Sequence, residues 1–124
     1  MKLSWKVLSV DDSAAMLSII TTYLRGSEFE VVATARDGKQ AVGLFQEVQP
    51  DMILLDLVMP GQSGQETLCQ ILDMEPSAFV VIVSSLGTEE SVEECMSLGA
   101  RGFLRKPFSR DDLLSYLREL APSS

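Results

Sequence analysis

The sequence contains no histidine, and this absence excludes several kinds of active site. Without an imidazole, the chain cannot form a Ser-His-Asp or Cys-His catalytic group, a histidine-ligated metal site or a histidine phosphoacceptor. Only two cysteines are present, Cys69 and Cys95, and each lies in a predicted helix without a nearby Cys or His. Because this spacing fits neither a zinc site nor a disulfide framework, we expect buried, reduced thiols.

Long apolar runs and an excess of basic charge are also missing. The longest uninterrupted apolar run falls far short of the roughly 20 residues that span a bilayer, and no secretory leader is evident. We therefore expect a cytoplasmic protein without membrane insertion. The net charge is −8, which argues against nucleic acid or an anionic membrane as a partner and favours a protein partner.

The length and composition are those of one compact domain. The chain has 124 residues, of which 46% are hydrophobic, so it can form one core but has no room for a second folded unit. No linker, internal repeat or low-complexity segment interrupts it. We therefore expect a single domain over residues 1–124.

Apolar runs with strand-like spacing alternate with segments of helical spacing along the chain. The predicted strands cover residues 6–10, 30–35, 52–55, 79–84 and 102–105. The predicted helices cover residues 14–25, 38–48, 63–76, 88–99 and the segment from 109 onward. This alternation demands right-handed crossovers, so we predict an α/β fold with a doubly wound five-stranded parallel sheet, five helices and the flavodoxin-like strand order 2-1-3-4-5.

Capping residues and apolar stripes support the predicted helices. Ser63, Thr88 and Ser109 offer N-cap hydroxyls at three helix starts, and Gly26 and Gly99 are C-terminal signals. The predicted buried stripes are Met16, Ile20 and Leu24, then Ala41, Phe45 and Val48, and finally Leu113, Leu117 and Leu120.

Four of the apolar runs end on charged or hydroxyl residues. These are Asp11-Asp12 after the first strand, Asp56 after the third, Ser84-Ser85 after the fourth and Lys106-Pro107 after the fifth. Parallel strands point their carboxyl ends to one edge of the sheet, and the predicted order makes strands one and three neighbours. We therefore expect Asp11, Asp12 and Asp56 to lie side by side.

Three carboxylates in one cleft repel one another, by roughly 4 kcal/mol per pair at about 4 Å and an effective dielectric near 20. Oxygen ligands that leave room for water and a phosphoryl oxygen suit Mg²⁺ better than Ca²⁺. A phosphoryl group on Asp56 would be held by Mg²⁺, by the Lys106 ammonium and by the Ser84 hydroxyl. The sequence thus predicts a phosphoaspartate site.

Together these residues resemble the receiver domain of two-component response regulators, most of all its stand-alone CheY-like chemotaxis type. The family pattern has an acidic pair after strand one, an Asp ending strand three, Ser or Thr ending strand four and Lys-Pro after strand five. The chain carries all four in order, and its loop Met59-Pro-Gly-Gln-Ser-Gly64 also matches. The resemblance covers the whole chain.

The resemblance implies a signalling switch and not an enzyme with a turnover substrate. Asp56 would accept a phosphoryl group from the phosphohistidine of a partner histidine kinase, or from a small phosphodonor. Asp11, Asp12, Asp56 and the backbone carbonyl of Val58 would bind Mg²⁺, and Lys106 would pair with the phosphoryl oxygens.

The resemblance also implies a mechanism of readout. Ser84 would move toward the phosphate and vacate space that Phe103, at the family's switch-aromatic position, would fill. The face formed by helix four, strand five and helix five would then change and bind a target protein. A phosphatase is a further expected partner.

Each site residue also has an ordinary structural interpretation. Asp12 would be a helix cap, Asp56 an Asx-turn residue, Ser84 a local hydrogen-bonding group, Lys106 a solvated charge and Phe103 a core aromatic. The glycines Gly61 and Gly64 follow no dinucleotide fingerprint. The order and spacing of all these residues together favour the functional interpretation.

Three functions remain open from the sequence. The leading one is a stand-alone phospho-switch, because the chain ends at Ser124, soon after the last predicted helix. The second is a receiver module from a longer response regulator or hybrid kinase, with the terminal Ala-Pro-Ser-Ser as the start of a linker. The third is a flavin-binding flavodoxin relative, which the absence of a Ser/Thr/Gly-rich phosphate loop after strand one disfavours.

Overall fold

A computed structural model describes residues 4–121 of the chain. Strands and helices alternate strictly along this part of the sequence, as predicted. The strands are β1 (Trp5–Val10), β2 (Phe29–Ala35), β3 (Met52–Leu55), β4 (Val80–Ser84) and β5 (Gly102–Arg105). The helices are α1 (Ala14–Leu24), α2 (Gly38–Val48), α3 (Gly64–Met74), α4 (Glu89–Leu98) and α5 (Arg110–Leu120).

The strands form one parallel sheet in the order β2-β1-β3-β4-β5, which confirms the predicted topology. The central strand β3 is buried along its whole length, as expected for a sheet covered by helices on both faces. Residues of α2, α3 and α4 pack on one face around Leu8 and Ile53, and residues of α1 and α5 pack on the other around Val7 and Leu54. The sheet is therefore held between two separate apolar layers, one on each face.

The predicted helix starts are confirmed. The hydroxyls of Ser63, Thr88 and Ser109 each accept a hydrogen bond from the backbone N–H three residues later, and Asp112 completes a reciprocal capping box with Ser109. Gly99 ends α4 in the left-handed conformation, with φ of 119°. These caps fix where the chain leaves the sheet and returns to it.

Several details of packing differ from the prediction. Three residues of the predicted buried stripes are only partly buried: Phe45, Val48 and Leu120. In α1 the deeply buried residues are Leu17, Ile20 and Leu24, and Met16 is only partly buried, because residues spaced by four drift around a helix of 3.6 residues per turn and Met16 lies at the edge of the buried stripe. Cys95 is fully buried, but Cys69 is half-buried, so the expectation of two buried thiols was wrong for Cys69.

Both thiols are free, as expected. Burial, with a smaller contribution from the nearby Glu94 charge, raises the pKa of Cys95 to about 11. No helix within residues 4–121 has the length and apolar character needed to cross a membrane. The predicted linker start covers residues 121–124. Its first residue, Ala121, is the C-cap of α5, and residues 122–124 lie outside the described residues.

Candidate functional site

The predicted acidic residues meet at the carboxyl edge of the sheet. Asp11 follows β1 and Asp56 follows β3, and the pairing of Val10 with Leu55 brings the two strand ends side by side. One carboxylate oxygen from each of Asp11, Asp12 and Asp56 lies within 4.8 Å of the other two. Asp11 and Asp56 are 2% and 5% exposed, whereas Asp12 is exposed to solvent.

Lys106 reaches this cluster from the end of β5. Its Nζ donates to Asp11 Oδ2 at 2.6 Å and lies 3.7 Å from Asp56 Oδ1. The strand pairing sets this reach, because the Lys106 backbone N–H donates to the carbonyl of Ser84 at 3.0 Å. Lys106 is therefore not a solvated strand-end charge but an ion-pair partner of the two buried carboxylates.

Burial dominates the electrostatics of Asp56 and raises its pKa. The positive charge of Lys106 acts in the opposite direction, while the negative charge of Asp11 raises the pKa further. A hydrogen bond from the Ser84 hydroxyl lowers it slightly. An ionised Asp56 therefore depends on nearby positive charge.

Ser84 ends β4 and is fully buried next to this cluster. Its Oγ accepts a hydrogen bond from the backbone N–H of Leu86 at 3.2 Å. The hydroxyl thus lowers the pKa of the Asp56 carboxyl and is also bonded to the loop between β4 and α4. Ser84 therefore fits the structural interpretation as a local hydrogen-bonding group. It also lies at the end of β4, where the functional interpretation places a hydroxyl.

Phe103 lies in the middle of β5, two strands away from Asp56. It is half-buried and packs against the core layer formed with α2, α3 and α4. Its backbone N–H, on the outer edge of the sheet, donates to the Tyr116 hydroxyl of α5 at 2.8 Å. This placement fits both a core aromatic and a switch residue, so its switch role stays a prediction.

Val58 and Leu86 are apolar residues that each lie two positions after a site residue in the sequence. They are 56% and 43% exposed, and they belong to the loops that follow Asp56 and Ser84. The Val58 carbonyl stays a predicted metal ligand. Asp12 is not the cap of α1, because Ser13 has that position and its hydroxyl accepts from the Met16 N–H.

Sequence reasoning missed Arg36, which follows β2 at the edge of the site. Its guanidinium donates twice to the backbone carbonyl of Asp12, from Nε at 2.9 Å and from Nη2 at 2.7 Å. The predicted strand order held the signal, since β2 lies next to β1 and a long cation after β2 can reach the loop that follows β1. Arg36 thereby fixes the backbone of the exposed member of the acidic cluster.

The donor set fits a hard divalent cation. The converging ligands are carboxylate oxygens, with no thiolate or imidazole among Asp11, Asp12 and Asp56. Lys106 supplies one positive charge against three negative ones. A small oxygen-seeking ion such as Mg²⁺ would offset the remaining charge and find an exposed ligand in Asp12.

The fold and this constellation define a class of signalling domain, and comparison with known proteins confirms it. The sequence matches the model of the response regulator receiver domain over residues 7–118. The chain therefore belongs to the receiver domain family. Its similarity to chemotaxis proteins covers nearly the whole length.

Two curated relatives and one solved structure illustrate this similarity. The chemotaxis protein CheY of Listeria monocytogenes is 40% identical over 116 residues, which cover 94% of this chain and 98% of the relative. The protein-glutamate methylesterase/protein-glutamine glutaminase of Bacillus licheniformis is 44% identical over 106 residues, which cover 82% of this chain but 29% of the relative.

The solved structure is that of the CheX-CheY-BeF3-Mg²⁺ complex from Borrelia burgdorferi. One of its chains superposes with a TM-score of 0.90 at 31% sequence identity, covering 94% of this chain and 88% of that chain. This likeness confirms the fold and the predicted relation to CheY-like receivers.

Proposed function

We propose that this receiver domain is a phosphorylation-dependent switch in which Asp56 is the phosphoacceptor. The observation that carries the proposal is the position of Lys106 within the three-carboxylate cluster. Its Nζ lies 2.6 Å from Asp11 Oδ2 and 3.7 Å from Asp56 Oδ1, and both carboxylates are buried. An acidic cluster with two buried carboxylates, one exposed carboxylate and a lysine is suited to holding a dianionic group together with a metal ion.

The residues divide the chemistry as follows. An Asp56 carboxylate oxygen attacks the phosphorus of the donor, the bond from phosphorus to the donor's leaving atom breaks, and an acyl phosphate forms on Asp56. Lys106 stabilises the ionised nucleophile beforehand and the phosphoryl oxygens afterwards. Asp11 and Asp12, with Asp56 and the Val58 carbonyl, would hold Mg²⁺, which when bound supplies charge neutralisation for the transferring group.

Family membership supports the proposed donor and target. The donor is the phosphohistidine of a partner histidine kinase, since the chain itself has no histidine, or a small phosphodonor. The output is binding of a target protein on the α4-β5-α5 face, where Phe103 acts as the switch aromatic, and a phosphatase resets the state. Chemotaxis is the pathway that the CheY relatives suggest, and a cytoplasmic location stays a prediction.

The assignment of Asp56 is tested by intact-mass measurement after incubation with acetyl phosphate and Mg²⁺. We expect one phosphate adduct in the wild type and none in Asp56→Asn. Asp73→Asn, which changes an exposed carboxylate on α3, is the matched control and should be phosphorylated like the wild type. An adduct of the same size that persists in Asp56→Asn would refute the assignment.

A second candidate is the same switch as a module of a longer protein. The match to the Bacillus licheniformis methylesterase, at 44% identity over only 29% of that protein, supports this arrangement. Sequencing the complete reading frame decides between the two. The flavodoxin alternative loses its support, because the chain belongs to the receiver family.

A further inference from the structure

The loop between β4 and α4 is fastened to the neighbouring strand β5 by an arginine. Arg105 pairs with Ser84 across the two strands, and its Nε donates to the backbone carbonyl of Gly87 at 2.7 Å. Hydrogen bonds from a charged donor are stronger than those between neutral groups. The four residues from Ser84 to Gly87 are therefore held at both ends, by strand pairing at Ser84 and by the Arg105 side chain at Gly87.

The Arg105 side chain lies so close to Gly87 that it leaves no room for a side chain at position 87. A Cβ atom at position 87 would lie 2.5 Å from Nε and 2.6 Å from Cγ and Cδ of Arg105. These atoms belong to the stem of the side chain, which cannot move aside without losing the hydrogen bond. Gly87 has no positive φ, so its lack of a side chain is needed for the arginine and not for the backbone conformation.

The fastened loop begins beside the phosphoacceptor, because β4 pairs with β3 and Ser84 is the last, fully buried residue of β4. Ser84 Oγ accepts from the Leu86 N–H within this loop. A phosphoryl group on Asp56 moves the acceptor oxygens outward by the length of a phosphorus–oxygen bond. A Ser84 hydroxyl that turns toward these oxygens gives up its bond to the Leu86 N–H, and the loop then rearranges.

We propose that Arg105 is a positioning residue that latches the β4–α4 loop in its resting arrangement and so sets how readily the domain enters the phosphorylated state. This inference rests on the proposed function of Asp56. An interaction that is present in only one of two states changes the free-energy difference between them by its own net free energy. Loss of the latch therefore favours the phosphorylated arrangement.

The test is a double-mutant cycle between positions 87 and 105, read by binding of beryllofluoride in the presence of Mg²⁺. Arg105→Ala removes the latch, and Gly87→Ala displaces it from the other side. Each variant should bind beryllofluoride about fivefold more tightly, as expected from the net strength of one hydrogen bond. The Arg105→Ala variant has no arginine side chain for the new Cβ to displace. Adding Gly87→Ala to this variant should therefore give no further increase in affinity for beryllofluoride.

Arg101→Ala is the matched control, since it removes an exposed arginine from the other end of β5, where the guanidinium lies over the Phe79 ring. It should leave the affinity for beryllofluoride unchanged. Amide hydrogen exchange, measured without beryllofluoride, should accelerate at residues 86–88 in both latch variants but not in Arg101→Ala.

The outcomes are distinguishable. Unchanged or weaker affinity in both latch variants, or gains that simply add in the double variant, would overturn the latch. A fall in thermal stability without a change in affinity would mean that Arg105 is only structural. If the wild type fails to bind beryllofluoride in a manner that needs Asp56, the proposed function itself is wrong.

Discussion

At the scale of single residues, the three carboxylates of the cluster are not equivalent. Asp11 is buried and paired with Lys106, and Asp56 is buried with a raised pKa. Asp12 is exposed, and its backbone is held by Arg36. The exposed carboxylate is the one best placed to bind a metal ion that arrives from solvent, while the other two define where the ion comes to rest.

The metal role of Asp12 predicts a loss of Mg²⁺-dependent stability in Asp12→Ala. Mg²⁺ should raise the melting temperature of the wild type, because it relieves repulsion within the cluster. At a free concentration about 100 times its Kd, the stabilisation is about 2.7 kcal/mol. Asp12→Ala should keep the fold and show no such rise in a thermal titration, and an unchanged titration would exclude this site.

Val58 and Leu86 predict a long-lived phosphorylated state. Both side chains are apolar, so neither can orient an attacking water by hydrogen bonding, and we expect both to shield a phosphoryl group on Asp56. Val58→Asn and Leu86→Glu should each speed phosphate loss several-fold, followed after removal of the donor. If neither substitution does so, the rate is set by metal geometry and charge, and the shielding argument is wrong.

At the scale of elements, the connection from β3 to α3 holds the phosphoacceptor in place. Gly64 opens α3 directly against the end of β3, and its N–H donates to the Leu57 carbonyl at 2.9 Å. A Cβ at Gly64 would collide with the Asp56 carbonyl and lie 2.5 Å from the Leu57 Cα. The close approach is between backbones, so no side chain can move to relieve it.

This packing predicts opposite effects for two Gly→Ala substitutions. Gly64→Ala should lower the free energy of unfolding by about 1–3 kcal/mol, as overpacking does, and slow phosphorylation because Asp56 shifts. Gly43→Ala, within α2, has nothing within 4 Å of the new Cβ and should stabilise by about 0.5–1 kcal/mol. Denaturant unfolding of both variants measures the contrast, and equal effects would contradict it.

The sequence was sufficient for most elements and for the residues at strand ends, for physical reasons. Strand and helix periodicity specify the sheet, and the sheet order alone brings Asp11, Asp56 and Lys106 to one edge. Arg36 and Arg105 could not be assigned in the same way, because long side chains reach several places and the choice depends on loop backbones. The partial exposure of Met16 and Cys69 depended likewise on helix rotation, which periodicity sets only coarsely.

At the scale of the whole molecule, contacts distant in sequence join the two helices of one face to the sheet. Arg110 of α5 donates to the Tyr23 carbonyl near the end of α1 at 3.0 Å. Arg118 of α5 forms a two-pronged ion pair with Glu28, with distances of 2.8 and 2.9 Å. These contacts tie α5 to the end of α1 and to the residue before β2.

The Glu28–Arg118 pair predicts a defined pH dependence of stability. The hydrogen bond from Arg118 is the main cause that lowers the pKa of Glu28 from 4.5 to about 2. A carboxyl group with a lowered folded-state pKa stabilises the fold above its unfolded pKa, and this contribution is lost as pH falls from about 4.5 toward 2. Both groups are partly solvent-exposed, so screening limits the pair to about 0.5–1 kcal/mol.

Glu28→Gln should therefore lower the free energy of unfolding by about that amount at pH 7, and the difference from the wild type should shrink steadily below pH 4.5. The measurement is a series of urea titrations between pH 7 and pH 3, repeated in 1 M salt, where screening should reduce the difference. Glu119→Gln removes a neighbouring exposed carboxylate of α5 and is the matched control. A difference between wild type and Glu28→Gln that stays constant with pH would show that the ion pair does not stabilise the fold.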